Sequence, residues 1–296
     1  MRVLFANASL ARRIERAEVG LIIEGARAAA RRLPPEGPVI IETNGGAAVY
    51  VEDGAPFNKF VGLGFEGVPS AATLDAIETQ YGERRAPLQA EVSSLGDPEI
   101  VKTLARRGYE LIGFENVLGL SITPETINRL RPSTPEIRVA MAGPAETATW
   151  MDVVIEGFQH PDTFDGPPSH EPLIPRDVLE RVFGDTIAAA GFQRFIARRD
   201  GEVAGGASFR IENGVAQLSG AATVPAHRRH GVQSALLRHR LVEAARHGCD
   251  LAVVTTQPGS KSQENAQKAG FELLYARAVM VKSVSASGSR LPAAGQ

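Results

Sequence analysis

The residues best suited to chemistry lie between Ser219 and Ala235, in the stretch S-G-A-A-T-V-P-A-H-R-R-H-G-V-Q-S-A. A strand ending at Ala222-Thr223-Val224 meets Pro225, which has no N–H to give a sheet ladder. A helix is predicted from about Val232. Its first N–H groups have no internal partner and stand at the positive end of the helix dipole. Gly231 tolerates backbone angles that bring an N–H close to a ligand. Such a turn cradles phosphate, and Arg228, Arg229 and His230 add cationic groups around it. The same residue types also make an ordinary solvated loop.

Other chemistry-bearing residues are sparse. His227 and His230 share the basic turn, and His239 and His247 stand eight apart on a predicted helix, so no metal site is expected. The lone Cys249 excludes an intramolecular disulfide, fits a reducing cytoplasm, and reads as a small core residue. Gly62-Leu63-Gly64-Phe65-Glu66-Gly67 spells a dinucleotide fingerprint. That motif needs its third glycine inside the opening helix, whereas Val68-Pro69-Ser70 follows here. Its acidic residue should end a second strand, whereas Glu91 sits inside one. A nicotinamide-dependent oxidoreductase is therefore carried only as a minor alternative.

The elements that position these residues follow from periodicity and punctuation. Residues 9–32 carry Leu10, Ile14, Ala17 and Leu21 on one face and read as a helix. Val39–Glu42 and Ala47–Val51 read as a hairpin about Asn44-Gly45-Gly46, and Phe60–Leu63 as a further strand. A helix from about Ser70 carries Leu74, Ile77 and Tyr81. Leu88–Ser93 is a strand, followed by a helix capped by Asp97 and stopped at Gly108. Tyr109–Ile122 is one long strand or a hairpin, and Pro124–Pro135 a linker with a short helix.

In the second half Ile137–Met141 is a strand, and Gly143-Pro144 opens a helix burying Met151, Val154, Ile155 and Phe158. Trp150 is expected in the core or between domains. Residues 160–175 read as a loop and 175–190 as a helix. Phe192–Arg198, Val203–Ile211 and Val215–Val224 form an antiparallel meander with Asp200-Gly201 and Asn213-Gly214 turns. Helix 232–247 has Leu237, Leu241, Ala244 and Ala245 inside. Leu251–Thr256 is a buried strand, 260–269 a polar helix, and Gly270 to Lys282 a final hairpin. Residues 283–296 are small, polar and expected to be disordered.

The chain has 296 residues with 43% hydrophobic and 22% charged, which fits two soluble globular domains. A net charge of −2 argues against a general nucleic-acid binder. No apolar run reaches the roughly 20 residues a membrane span needs, and Arg12 and Arg13 follow too early for a secretory signal.

Arg228-x-x-Gly231-x-Gln233 resembles the pyrophosphate loop of the GCN5-related N-acetyltransferases, written Q/R-x-x-G-x-G/A, with Gln233 in place of the usual second small residue. Ser262-x-x-Asn265 followed by Lys268-Ala269-Gly270-Phe271 resembles the family's second cofactor segment. The element order over about 136–282 is also that of the family. The resemblance implies an α/β (α+β) lobe, a mixed, mainly antiparallel twisted sheet flanked by helices. It implies acetyl-CoA or another acyl-CoA as donor, with Ala222, Thr223 and Val224 pairing the pantetheine arm. The amides around Arg229, His230, Gly231, Val232, Gln233 and Ser234 would hold the pyrophosphate, and Asn265 the arm. A bulge near 220–223 would aim an N–H at the thioester oxygen. The glutamate that many members carry on the fourth strand is missing from Val215–Val224, and Ala266 stands where a tyrosine often protonates the thiolate. Glu156 and Tyr275 are the substitutes available for catalysis.

The halves also resemble each other. Gly108-Tyr109-Glu110-Leu111-Ile112 parallels Gly270-Phe271-Glu272-Leu273-Leu274 at an offset of 162, and Val68-Pro69 parallels Val224-Pro225 at 156. The six residues of difference match the length of the basic turn. The expectation is a tandem protein: a degenerate lobe over 1–130, a linker at 131–135, a catalytic lobe over 136–282 and a tail. The expected activity is transfer of an acetyl group to an amine, first of all on a small molecule. The competing reading is a non-catalytic acyl-CoA-binding or interaction protein.

Overall fold

The computed structural model describes residues 4–34, 37–130, 134–160 and 174–284. The expected loop over 160–175 and the expected tail therefore fall almost wholly outside the described residues. The first half runs α1 (Ala8–Ala29), β1 (Val39–Thr43), β2 (Gly46–Tyr50), β3 (Lys59–Leu63), α2 (Ala71–Glu83), β4 (Leu88–Ser93), α3 (Glu99–Arg106), β5 (Glu110–Ser121) and α4 (Pro124–Arg129). The second half runs β6 (Ile137–Met141), α5 (Thr147–Gln159), α6 (Arg176–Ile187), β7 (Phe192–Arg199), β8 (Glu202–Glu212), β9 (Val215–Thr223), α7 (Val232–Arg246), β10 (Leu251–Thr256), α8 (Lys261–Lys268) and β11 (Glu272–Lys282). No helix among the described residues is long and apolar enough to cross a membrane.

The eleven strands among the described residues form one sheet, in the order β1-β2-β3-β4-β11-β5-β10-β9-β8-β7-β6. Only β3–β4 and β9–β10 are parallel; the other pairings are antiparallel. Turn chemistry sets the hairpins. Asn44-Gly45, Asp200-Gly201 and Asn213-Gly214 all take left-handed angles, the geometry that a two-residue turn between twisted strands requires. Helices cover both faces. Ala47, Val49 and Val61 pack with α1 and α6, while the alternate residues Ala48, Tyr50 and Phe60 pack with α2 and α3. In the second half Phe195, Ala197 and Phe209 pack on α7, and Ile196 packs on α5 through Trp150. Trp150 is fully buried, and its indole N–H donates to the Ala207 carbonyl at 3.0 Å.

The last strand of each half crosses to the other. β5 lies between β10 and β11, and β11 lies between β4 and β5. The pair Glu115↔Arg277 is one repeat apart (277 − 115 = 162), so a pseudo-two-fold axis passes between them. The strand irregularities obey the same axis. Ile112 in β5 and Leu274 in β11 are each skipped in the pairing, and they too differ by 162 (274 − 112). The repeat read from two short sequence matches is thus present in the register of the sheet.

Three expectations change. β11 is a single long strand, not a hairpin, because its partner comes from the first half. Phe158 is half exposed. The buried face of α7 is turned from the expected stripe: Leu236, Arg240, Leu241 and Ala244 are buried, and Leu237 and Ala245 only half so. The dinucleotide reading also fails on geometry. Gly67 lies in a loop four residues before α2, and buried Glu91 binds the Lys59 ammonium at 2.9 Å instead of ending a strand in solvent.

Candidate functional site

The parallel strands β9 and β10 pair only at Val215–Gln217 with Leu251–Val253. Beyond them the strands part, so β9 from Leu218 to Thr223 has β8 on one side and an open edge on the other. A bulge falls on this free segment. Gly206 pairs with Ala222 and Ser208 with Ser219, so Ala207 opposes both Gly220 and Ala221. Gly220 has φ +56°, and a Cβ there would lie 2.9 Å from the Ser208 hydroxyl. On the helix side, a Cβ on Gly157 would lie 2.3 Å from the Ala222 methyl, so α5 rests directly on the bulged strand.

The basic turn continues from this edge. A short 3-10 turn at Pro225–His227 leads to Arg229 with φ +65° and Gly231 with φ +86°, and α7 starts at Val232. Two left-handed residues within one tight turn bend the backbone so that its N–H groups can converge, as an anion cradle requires. A Cβ on Gly231 would meet only Ile137 at 3.8 Å, so the backbone angle, not space, calls for glycine. Arg229, His230, Gly231, Gln233 and Ser234 are exposed, Arg228 is half-buried and Val232 is in the core. Asn265 on α8 donates to the Gln233 side chain at 3.0 Å, which ties the two expected cofactor segments together.

The first half has the same frame without the opening. Its pairs Lys59↔Gln89 and Phe60↔Ala90 are the repeat equivalents of Val215↔Leu251 and Ala216↔Ala252. Gly64, equivalent to Gly220, is also left-handed. Yet β3 and β4 remain paired to Leu63↔Val92, and the Gly64 carbonyl accepts the Asp97 amide at 2.8 Å. Pro69 stands two residues before α2, whereas Pro225 stands seven before α7 (71 − 69 against 232 − 225). Both the splay and the turn are missing.

A cleft of about 260 Å³ lies between α5, the start of α6 and the end of β9. Glu156 lines it together with Gly157, Thr223, Val224 and Arg228. The Glu156 carboxylate pairs with His160 Nδ1 at 3.1 Å, and Arg176 at the rim bonds Glu180 at 2.8 Å and also Asp152. Tyr275 does not join them. It is buried under α1, its hydroxyl donates to Glu15 at 2.7 Å, and burial together with the Glu15 charge pushes the phenol well above its ordinary value. Cys249 is buried and its thiol is pushed up by that burial, the opposite of an activated nucleophile. Among the described residues no cluster of His, Cys, Asp or Glu is placed to hold a metal ion.

Sequence reasoning missed two residues. Asp152 stands one turn before Glu156 at the same cleft. Arg240 is buried behind the bulge, and its Nη1 donates to the carbonyls of Ser208 at 3.0 Å and Ser219 at 3.4 Å. Its spacing was the available signal, because it falls four residues after Leu236 and four before Ala244.

The profile of the acetyltransferase (GNAT) family matches residues 158–271. No curated protein matches the chain. Among solved structures, a GCN5-related N-acetyltransferase from Kribbella flavida superposes with TM-score 0.61 at 16% identity, over 88% of this chain and 95% of that one. A tandem GNAT protein from the clavulanic acid biosynthesis pathway superposes with TM-score 0.61 at 17% identity, over 95% of both chains. A conserved protein of unknown function from Staphylococcus epidermidis superposes with TM-score 0.55 at 10% identity, over 86% and 97%. At these identities the superpositions speak for the fold, and the profile match shows a likeness over residues 158–271. The splayed strands, the bulge and the basic turn all lie inside the segment similar to the acetyltransferase (GNAT) family, in a chain that shares its fold with a tandem GNAT protein.

Proposed function

We propose that the second half transfers an acetyl group from acetyl-CoA to an amine carried by a small molecule. The observation that carries this reading is the free edge of β9, which leads straight into the amides opening α7. An extended pantetheine arm fits that edge as an added strand would. Its diphosphate end then meets the turn of Arg229 and Gly231, with Arg228 and His230 beside it. Ala222, Thr223 and Val224 supply backbone groups to the arm, and the Asn265–Gln233 pair closes over it. The bulge at Gly220-Ala221 brings backbone amides to the thioester carbonyl, where negative charge develops during attack.

The acceptor enters through the cleft on the α5 side. An amine with a pKa near 10 must lose a proton before it attacks. Glu156 is the carboxylate at hand there, and His160 beside it offers a path for the proton to solvent. The amine nitrogen then bonds to the acyl carbon and passes its surplus proton to solvent, the C–S bond breaks, and the electron pair leaves on sulfur. A thiol's pKa near 8.5 lets the thiolate depart without an acid, so the withdrawal of Tyr275 into the core does not oppose turnover.

The first half is assigned no acyl-CoA, since its strand pair is zipped and its turn is short. The lack of a glutamate on β9 supports a second reading, a protein that binds acyl-CoA without turning it over. Thiol release from acetyl-CoA, followed over a panel of small amines, separates the two. Amine-dependent release supports transfer; tight binding with no release on any amine supports the second reading.

A further inference from the structure

Among the described residues three arginines are buried, two on strands and Arg240 on α7, and they differ in company. Arg277 lies among Glu15, Glu91 and Glu115, and Arg210 among Glu24 and Glu212. Arg240 is only 4% exposed and has no carboxylate partner among the described residues. Its Nη1 serves two main-chain carbonyls, Ser208 and Ser219, and its Nε is buried without a hydrogen bond. Burial lowers its pKa to about 10, which still leaves it charged at neutral pH. A charge placed so costs far more than the leucine or methionine that would fill the same space.

The two carbonyls it holds flank the bulge. Ser208↔Ser219 is the last regular pair before Gly220-Ala221. The Ser219 carbonyl also accepts the Ser208 hydroxyl at 3.1 Å, so two donors fix the Ser219–Gly220 peptide plane. That peptide is trans, and the Gly220 N–H therefore points away from both donors. In the first half, where the strands stay paired, the buried residues of α2 are Leu74, Ile77 and Tyr81, with no cation. The buried charge accompanies the open strand pair.

We propose that Arg240 is a positioning residue for acyl transfer: it pins the bulge of β9 and sets a fixed positive charge behind it, where the acyl oxygen gains negative charge. This rests on the acyl-transfer reading given above. Arg240 acts through the main chain and touches neither acceptor nor diphosphate, so its effect belongs to the chemical step and not to acyl-CoA affinity.

The test compares the native chain with Arg240→Gln, which keeps a donor for the carbonyls but no charge, and with Arg240→Lys. Dissociation constants for acetyl-CoA are measured alongside kcat and the carbonyl ¹³C resonance of bound [1-¹³C]acetyl-CoA. Arg240→Gln is expected to bind acetyl-CoA within about twofold of native while kcat falls about 10- to 100-fold, somewhat less than the loss of a direct oxyanion donor. The bound carbonyl resonance should shift back toward its free position, and Arg240→Lys should restore most of both. A purely structural residue would lower affinity and kcat together and leave the resonance in place. If Arg240→Gln does not fold, Ser208→Ala removes one of the two donors from Ser219 and leaves the charge. It should lower kcat about threefold to tenfold at unchanged affinity, in line with the loss of one hydrogen bond. Unchanged kcat and an unmoved resonance in either variant overturn the proposal. Failure of the native chain to bind acetyl-CoA would instead overturn the acyl-transfer reading, and it would be seen before any variant is made.

Discussion

Cutting the chain in the segment between α4 and β6 should leave neither half able to fold alone. β10 pairs over all six residues, Leu251 to Thr256, with β5 from the first half. β11 has both its neighbours, β4 and β5, in the first half. A fragment spanning 134–296 would therefore lose Val117, Leu118 and Leu120, all buried against the second half. At about 1.5–3 kcal/mol for each buried side chain, their loss removes about 5–9 kcal/mol, before any ladder hydrogen bonds are counted. That is comparable to the whole stability of an ordinary domain, about 5–15 kcal/mol. The fragment should show no cooperative thermal transition by circular dichroism, and mixing or co-expression with residues 1–130 should restore one. A monomeric 134–296 fragment that melts cooperatively within a few degrees of the intact chain would refute the argument from strand exchange.

Other outcomes follow from single side chains. Burial would raise the Glu91 carboxyl, but Lys59 and Arg277 outweigh it and hold it below its ordinary 4.5. A depressed carboxylate stabilises the fold above that ordinary value and loses its contribution as pH falls through the folded value. Glu91→Gln should therefore lower stability at neutral pH by about 3–5 kcal/mol, the cost of breaking a buried pair, and flatten the fall in Tm as pH drops below that ordinary value. An equally steep acid limb in the variant would show that other groups set it. Gly157→Ala sets a methyl against Ala222 and should cost about 1–3 kcal/mol by overpacking, read as a lower midpoint in urea. An unchanged midpoint would mean that α5 can retreat from β9 freely. Glu156→Gln should reduce kcat about 100-fold or more at unchanged acetyl-CoA affinity, as loss of a general base does. A native-like kcat would remove Glu156 from the chemistry.

Much of the scaffold was legible in local chemistry. The Asn213-Gly214 and Asp200-Gly201 turns fixed the meander because only such residues take those angles without strain. Ser70 and Ser260 cap their helices by accepting the amides of Thr73 and Gln263, as their residue type predicts, whereas the N-cap of α3 is Pro98 and not the expected Asp97, whose carboxylate accepts the Glu99 amide from one residue further out. The match of Gly108-Tyr109 to Gly270-Phe271 carried enough information to place a repeat that the sheet register obeys. What local chemistry could not reveal was pairing between distant strands. Nothing within Glu272–Lys282 says that its partners are β4 and β5, so a hairpin was the natural expectation. Tyr275 looked available because its partner, Glu15, lies 260 residues away in α1. Arg240 was hidden for a related reason: an arginine on a helix full of arginines reads as solvated unless its angular position is weighed. The open edge of β9 was expected only through resemblance, since strand separation leaves no mark in composition.

The claim that everything else depends on is that one acyl-CoA lies with its diphosphate against the amides after Gly231. Calorimetric titration of the native chain and of Gly231→Asp with acetyl-CoA tests it most directly. The native chain should bind one equivalent. The variant, with a carboxylate set at the phosphate position and a strained left-handed aspartate, should bind at least about tenfold more weakly, a change of about 1.4 kcal/mol. Two equivalents per chain, or an affinity untouched by Gly231→Asp in a protein that still melts like the native one, would contradict it.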